Sequence, residues 1–309
     1  MRRKGAERSI EEEAVGVVGH SDGNGDEMRR TTLLPASVGI AVLLACAVVL
    51  PATLASAPAA SAASRGNGAS FAVRCDFSHR LHDDPIVYHG KPGASHSHDF
   101  FGNRSTRARS GYRGLLAADT TCTRKMDKAA YWIPTVRWNG NTLNSIRAVF
   151  YYRAGGKDHT KVKPFPANLK MITNSHVTWR CGRADRGGGT KSPPRRCRSG
   201  KLGVRIMFPD CSKGTLDSHN HRAHMAYSRR INGKVRCPST HPIPVPVLTT
   251  NVTFPIPTTR GKVTLSSGRA STMHADFWNA WRQQTLTFLV KHCINNVPPS
   301  KPRPAECRA

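Results

Sequence analysis

The chain has 309 residues, 47 of them Lys or Arg against 19 Asp or Glu, and 38% of them hydrophobic. That composition supports a packed core and excludes wholesale disorder, while the length accommodates one large domain or two small ones. A net charge of +28 exceeds what solubility requires and predicts attraction to polyanions such as nucleic acid, anionic lipid or an acidic cell-wall polymer.

In chain order, the first sixty residues read as an address. Residues 33–50 (LLPASVGIAVLLACAVVL) form the one long apolar run, preceded by Met28-Arg29-Arg30 and followed by small residues. Such a run serves as a signal h-region or spans a bilayer. Ala60-Ser61-Ala62 fits the small-x-small pattern of a cleavage site, and the polar residues 1–27 make a poor leader. Met28 is therefore the expected start, with residues 1–27 mistranslated upstream sequence and 28–62 a cleaved signal peptide. The alternative keeps Met1 and makes 33–50 a signal anchor, the only case in which a membrane is a partner. Either way the remainder is expected outside, secreted or at the cell surface. Six basic and seven acidic residues fall in 1–62, leaving 41 basic against 12 acidic residues and a charge of +29.

After a flexible lead (63–74), residues 75–309 are expected to form a single β-rich domain. Strand-like runs recur at Tyr131–Trp138, Ser145–Arg153, Val177–Cys181, Leu202–Phe208, Asn251–Ile256 and Lys262–Leu265. Residues 274–294 read as a helix from the spacing of Phe277, Trp278, Trp281, Phe288 and Leu289, with Ser271 or Thr272 as cap and Asp276 in the first turn. Cys237–Pro257 carries six prolines and reads as extended chain at a sheet edge or over the surface. Together these runs predict a mostly-β fold, a sandwich of jelly-roll type with a C-terminal helix.

With Cys46 inside the apolar run, eight cysteines remain. An exported domain with that number is expected to hold four disulfides. The short loops suggest Cys181–Cys197 and Cys293–Cys307, and the rest of the connectivity is open. No CxxC pair exists, which argues against a zinc ribbon or a thioredoxin-type redox site. The loop 182–201 has seven basic residues, Arg195 and Arg196 among them, and one acid, Asp185. It reads either as a grip for a polyanion or as a solvated, disulfide-pinned loop. It lacks the interleaved aromatics of a single-strand binder, and export argues against nucleic acid as the intended partner.

Chemistry concentrates in three stretches. The first is Asp83-Asp84 leading to Ser95-His96-Ser97-His98-Asp99 and Asn103. The second is Asp217-Ser218-His219-Asn220-His221-Arg222-Ala223-His224, followed by His241. The third is His274-Ala275-Asp276. In extended chain His96 and His98 point the same way, because side chains alternate with period two. Two imidazoles so placed share a metal, or work as an acid and its orienter. A purely structural polar network is the third reading. No HExxH, GxSxG, Walker or Rossmann pattern is present. Paired aspartates could serve glycoside hydrolysis, but Glu306 is the only glutamate after residue 27.

These stretches, DPIV (84–87), GKPGASHSHDFFGN (90–103), YWIP (131–134), FPDC (208–211), LDSHNHRAHMAY (216–227), CPSTHP (237–242) and HADF (274–277), resemble a family of exported bacterial and fungal proteins known as a domain of unknown function. The resemblance puts His96, His98, Asp217, His221, His224, His241 and His274 on motif positions. His219 does not match, and Asn220 stands where an aspartate is expected. Fungal members resemble secreted, wall-associated or biomass-associated proteins, which implies a polysaccharide substrate.

The resulting expectation is an exported protein acting on or binding an anionic polysaccharide or cell-wall polymer. Its catalytic candidates are His96, His98, Asp99, Asp217, His221, His224 and His274. Asp84, Asn103, His241, Asp276, Arg195 and Arg196 are expected to bind substrate, and His96, His98 and His224 to hold a divalent metal. Lyase chemistry and metal-assisted hydrolysis both remain open. The rival is a non-catalytic module that grips the wall electrostatically.

Overall fold

In the computed structural model, residues 68–309 are described. The apolar run at 33–50, the proposed cleavage site and Cys46 lie outside them. Two five-stranded antiparallel sheets carry the fold. The first runs in the order Ser70–Cys75, Arg147–Arg153, Val247–Pro255, Lys201–Met207, Val177–Cys181. The second runs Phe77–Leu81, His98–Gly102, Ala130–Pro134, Ala275–Trp278, Lys170–Thr173.

The sheets pack face to face because each presents alternate apolar side chains to the other. Phe71, Phe150, Tyr152, Val204, Val252 and Phe254 of the first meet Phe101, Tyr131, Ile133, Met171 and Phe277 of the second in one core. Tyr131 stacks on Phe150 across the gap with ring centroids 3.8 Å apart. A buried polar chain crosses the same core: Trp281 Nε1 donates to the Tyr152 hydroxyl (3.0 Å), which meets the Tyr131 hydroxyl (2.6 Å), which donates to Asp127 Oδ2 (2.8 Å).

The outer face of the second sheet is also covered. Phe100, Ala130, Trp132, Ile172 and Trp278 form a smaller core with Ile86 and Leu115, beneath the 84–90 turns and the helix Tyr112–Ala117. The outer face of the first sheet instead carries Arg153, Tyr151, Arg205 and Arg180. Arg180 stands opposite Gly203 and Arg205 opposite Thr178.

The mostly-β, disulfide-stapled architecture is as expected, with three corrections. Ala275–Trp278 is a buried strand between Ala130–Pro134 and Lys170–Thr173, so the helix starts only at Gln283, runs to Val290 and continues as a wider π-turn to Asn295. Asp276 thus sits in a sheet rather than in a first helical turn, and Ser271 and Thr272 cap no such helix. Val247–Pro255 is central rather than an edge strand, its prolines falling at or just outside its ends. Ser70–Cys75 pairs with Arg147–Arg153, so the ordered domain begins before Cys75.

The disulfides are Cys181–Cys197 and Cys293–Cys307, as suggested by the short loops, together with Cys75–Cys122 and Cys211–Cys237. Among the described residues no helix is long and apolar enough to cross a membrane. The disulfides are compatible with an extracellular protein.

Candidate functional site

His98 opens its strand and lies across from Pro134; extending the neighbouring register puts His274 across from the same proline. The two imidazoles therefore flank one strand and lean toward each other over it. His98 Nδ1 lies 2.9 Å from the carbonyl of Asp83, and His274 Nδ1 lies 2.9 Å from the carbonyl of Thr272. A carbonyl only accepts, so both Nδ1 atoms carry the proton and both Nε2 atoms expose a lone pair. Those two Nε2 atoms face each other at 3.2 Å. Two acceptors aimed together repel unless a cation lies between or beside them.

His96 completes the group. The period-two alternation holds, since its ring centroid is 4.3 Å from that of His98 and 5.1 Å from that of His274. Its Nε2 is buried with no hydrogen-bond partner. One ligand atom from each of the three histidines falls within 4.8 Å of the others. Asp276, 1% exposed, has both carboxylate oxygens buried and unpartnered, with Oδ2 3.8 Å from His274 Nε2. Nitrogen ligands around one zinc-like ion stand about 2.0–2.1 Å from it, so neighbouring ligand atoms fall about 3–3.4 Å apart, as the His98–His274 pair does.

Electrostatics fit this reading. Burial, then the neighbouring His274 and His82, holds His96 down to about 4. Burial, followed by His274 and His96, holds His98 well below the imidazole range, and burial lowers His274 as well. All three are thus neutral, the form that ligates metals. Burial, then the nearby Asp84, pushes the Asp276 carboxyl well above its ordinary range. Asp84 is itself raised by burial, and its Oδ1 accepts from the backbone N–H of Ile86 (2.9 Å) and Val87 (3.0 Å), the turn that DPIV encodes.

The second histidine stretch supplies a rim. His221, at φ +55°, donates from Nδ1 to Asp217 Oδ1 at 2.9 Å, and among the described residues its Nε2 has no hydrogen bond. Burial opposes the Asp217 charge, but His221, the Ser218 N–H and Lys170 outweigh it and hold the carboxyl below its usual range. Asn220 Oδ1 accepts from the N–H groups of Arg222 (3.1 Å) and Ala223 (2.8 Å), a turn-closing role that an aspartate would fill equally. Arg222 is exposed, and its charge acts on both His274 and Asp276.

Several expected site residues are placed elsewhere. Asp99 alternates to the other face of its strand, fully buried and bound by Arg80 (Nε to Oδ1, 2.5 Å) and Thr135 (2.9 Å). His224, expected as a metal ligand, has both nitrogens engaged, Nε2 on the Lys170 carbonyl (2.7 Å) and Nδ1 on Ser218 (3.1 Å), so His274 takes its place in the cluster. Asn103 is buried and braces backbone at Leu115 and Lys128, which leaves it nothing for a substrate. His241 pins the 217–224 loop through the Ala223 carbonyl at 3.1 Å. Arg195 and Arg196 lie in the exposed disulfide-closed loop, whose backbone pairs with residues 260–261. The grouping of Cys75 and Cys122 with Asp127 offers no thiolate, because the cysteines are joined in a disulfide.

One participant, Arg222, is missing from the sequence reading, and another, Asp276, is there only as a substrate-binding candidate. The sequence reading places Asp276 in the first turn of a helix and among the substrate-binding residues, although His274-x-Asp276 has the same period-two spacing as His96 and His98. Arg222 carried no signal beyond its place in the LDSHNHRAHMAY stretch.

No curated protein and no solved structure matches the chain. The family described as a domain of unknown function, DUF1996, matches residues 84–281. That match runs from Asp84 through the histidine cluster to Trp281 and covers more than half of the chain, which therefore belongs to the DUF1996 family.

Proposed function

We propose that the protein is a secreted, metal-dependent enzyme that cleaves an anionic polysaccharide or cell-wall polymer. The observation that carries this reading is the pair of unprotonated Nε2 atoms of His98 and His274 at 3.2 Å, beside the unpartnered Nε2 of His96 and carboxylate of Asp276. Those orphaned atoms make a three-nitrogen, one-carboxylate donor set, suited to a divalent transition metal of zinc type. Such an ion acidifies a bound water and polarises a substrate oxygen.

The chain's own residues supply the remainder. His221, oriented by Asp217, presents Nε2 as a proton acceptor or donor at the rim. Arg222 offers a guanidinium where negative charge develops. The net charge of +29 after residue 62 favours an anionic substrate over a neutral one. Export rests on the apolar run at 33–50 and the four disulfides.

A second reading, β-elimination at a uronate, draws on the same dyad. His221 Nε2 takes the proton beside the sugar carboxylate, a carbon–carbon double bond forms as the glycosidic carbon–oxygen bond breaks, and the departing oxygen leaves as a hydroxyl, taking a proton from solvent or from the protonated His221. Incubating the metal-loaded protein with anionic polysaccharides separates the two readings. Hydrolysis yields reducing ends alone, whereas elimination yields reducing ends with an ultraviolet-absorbing unsaturated product. Under either reading chelation abolishes turnover, readdition restores it, and His221→Ala lowers kcat by about 10²–10⁴-fold with little change in KM. Unchanged turnover after chelation, or in His98→Ala, overturns the reading.

A further inference from the structure

The first sheet's outer face carries a separate feature that does not depend on the metal reading. Arg153 and Arg205 line a cavity of about 350 Å³ with His176, Arg229, Arg230 and Thr249. Its one acid, Asp210, is already neutralised: the Lys157 ammonium binds Oδ2, and Ser228 donates its N–H to Oδ1 (2.7 Å) and its hydroxyl to Oδ2 (2.8 Å). Arg205 makes no hydrogen bond or ion pair among the described residues, and Arg153 has only Thr249 Oγ1 at 3.3 Å. Beside them Arg180 keeps Nε and Nη1 buried without a partner. Arg153 and Arg303 sit 4.2 and 5.3 Å from the Tyr151 ring centroid, which positions Arg153 without satisfying its N–H groups.

Half-buried guanidiniums packed this closely repel one another. Burial, then the charge of Arg205, brings Arg153 down to about 10, and Arg205 is lowered by burial and by Arg180. Holding these cations together without a carboxylate costs stability that a bound anion recovers, through N–H forks suited to tetrahedral oxyanions. The cavity shares Arg230 and Val235 with an open groove of about 1160 Å³ lined by Lys161, Lys163, Lys234 and Arg236. We propose that Arg153 and Arg205 bind a phosphate- or sulfate-type oxyanion, and that the adjoining groove takes the rest of the anionic polymer bearing it.

Calorimetric titration at constant ionic strength tests this, with inorganic phosphate, inorganic sulfate and dextran sulfate as probes. Wild type is expected to bind one of the inorganic ions saturably and dextran sulfate at least tenfold more tightly per site. Arg205→Gln and Arg153→Gln each lose at least tenfold toward the ion. Lys234→Gln/Arg236→Gln weakens dextran sulfate alone, and Arg195→Gln/Arg196→Gln, in the exposed loop, changes neither. If Arg205→Gln does not fold, Arg205→Lys carries the test, since it keeps the charge and loses the fork. Absence of saturable ion binding, or wild-type affinity in the arginine variants, overturns the pocket. Equal affinity for free ion and polymer overturns the groove.

Discussion

On the outer face of the second sheet, His96 and Asp276 keep buried nitrogen and oxygen atoms without partners; on the outer face of the first, Arg180 keeps buried N–H groups without partners. The first set is imidazole and carboxyl atoms, with the unpartnered Trp132 Nε1 on the same face, and the second is guanidinium N–H groups, with the unpartnered Asn251 Oδ1 opposite Arg205. Unsatisfied buried groups are costly. The histidine cluster offers ligands to a cation and the arginines offer N–H forks to an anion, on a single sandwich with one shared hydrophobic core. The two faces differ in how they are built: turns and a helix cover the apolar core beside the histidines, whereas Arg153 and Arg205 line a cavity.

The comparison breaks first at Asp99, which belongs to the second sheet yet points away from the histidines. Arg80→Met strands its buried carboxylate and is expected to cost about 3–5 kcal/mol in urea unfolding while leaving metal content per folded molecule unchanged. Metal loss without a stability change would return Asp99 to the site. The shared core gives a drop of similar size, since Phe150→Ala removes the ring that stacks on Tyr131 and is expected to cost about 3–5 kcal/mol, weakening both faces together.

A pH-dependent effect sharpens the contrast between satisfied and unsatisfied buried acids. Asp127 ends the tyrosine–tryptophan chain, yet burial still pushes it from 3.8 up to about 7. The folded protein then holds a proton that the unfolded chain releases between these values. Its contribution is full below about pH 4 and is lost as pH rises through about 7, with a slope of up to about 1.4 kcal/mol per pH unit. Unfolding experiments across that range are expected to show the stability difference between wild type and Asp127→Asn changing with that slope, the other titrating groups being common to both. Smallest of all, Arg195→Ala/Arg196→Ala, on the exposed loop, is expected to leave the melting temperature unchanged.

The same contrast explains what the sequence disclosed. Strands of the first sheet alternate apolar residues inward with Arg, Thr and Tyr outward, so Val177–Cys181 was read with its bounds and Arg147–Arg153 and Lys201–Met207 nearly so. His98–Gly102, Ala130–Pro134 and Ala275–Trp278 are buried at every position, and that removes the alternation a strand is recognised by. Only Ala130–Pro134 was approximated, and Ala275–Trp278 passed for helix because its aromatics also fit a helical spacing. For the site, period two placed His96 and His98 together. Convergence of His274 depended on a strand that pairs with residues far away in the chain. His224, Asn103 and His241 have the residue types of a site and the hydrogen bonds of a scaffold, a distinction only coordinates make.

The most direct test is elemental analysis of the purified, tag-free protein beside His98→Ala/His274→Ala, after dialysis against trace zinc. The account predicts near-stoichiometric divalent metal in wild type and its loss in the variant, with the circular dichroism spectrum retained. A wild type that takes up no metal, or a variant that holds as much, would contradict it.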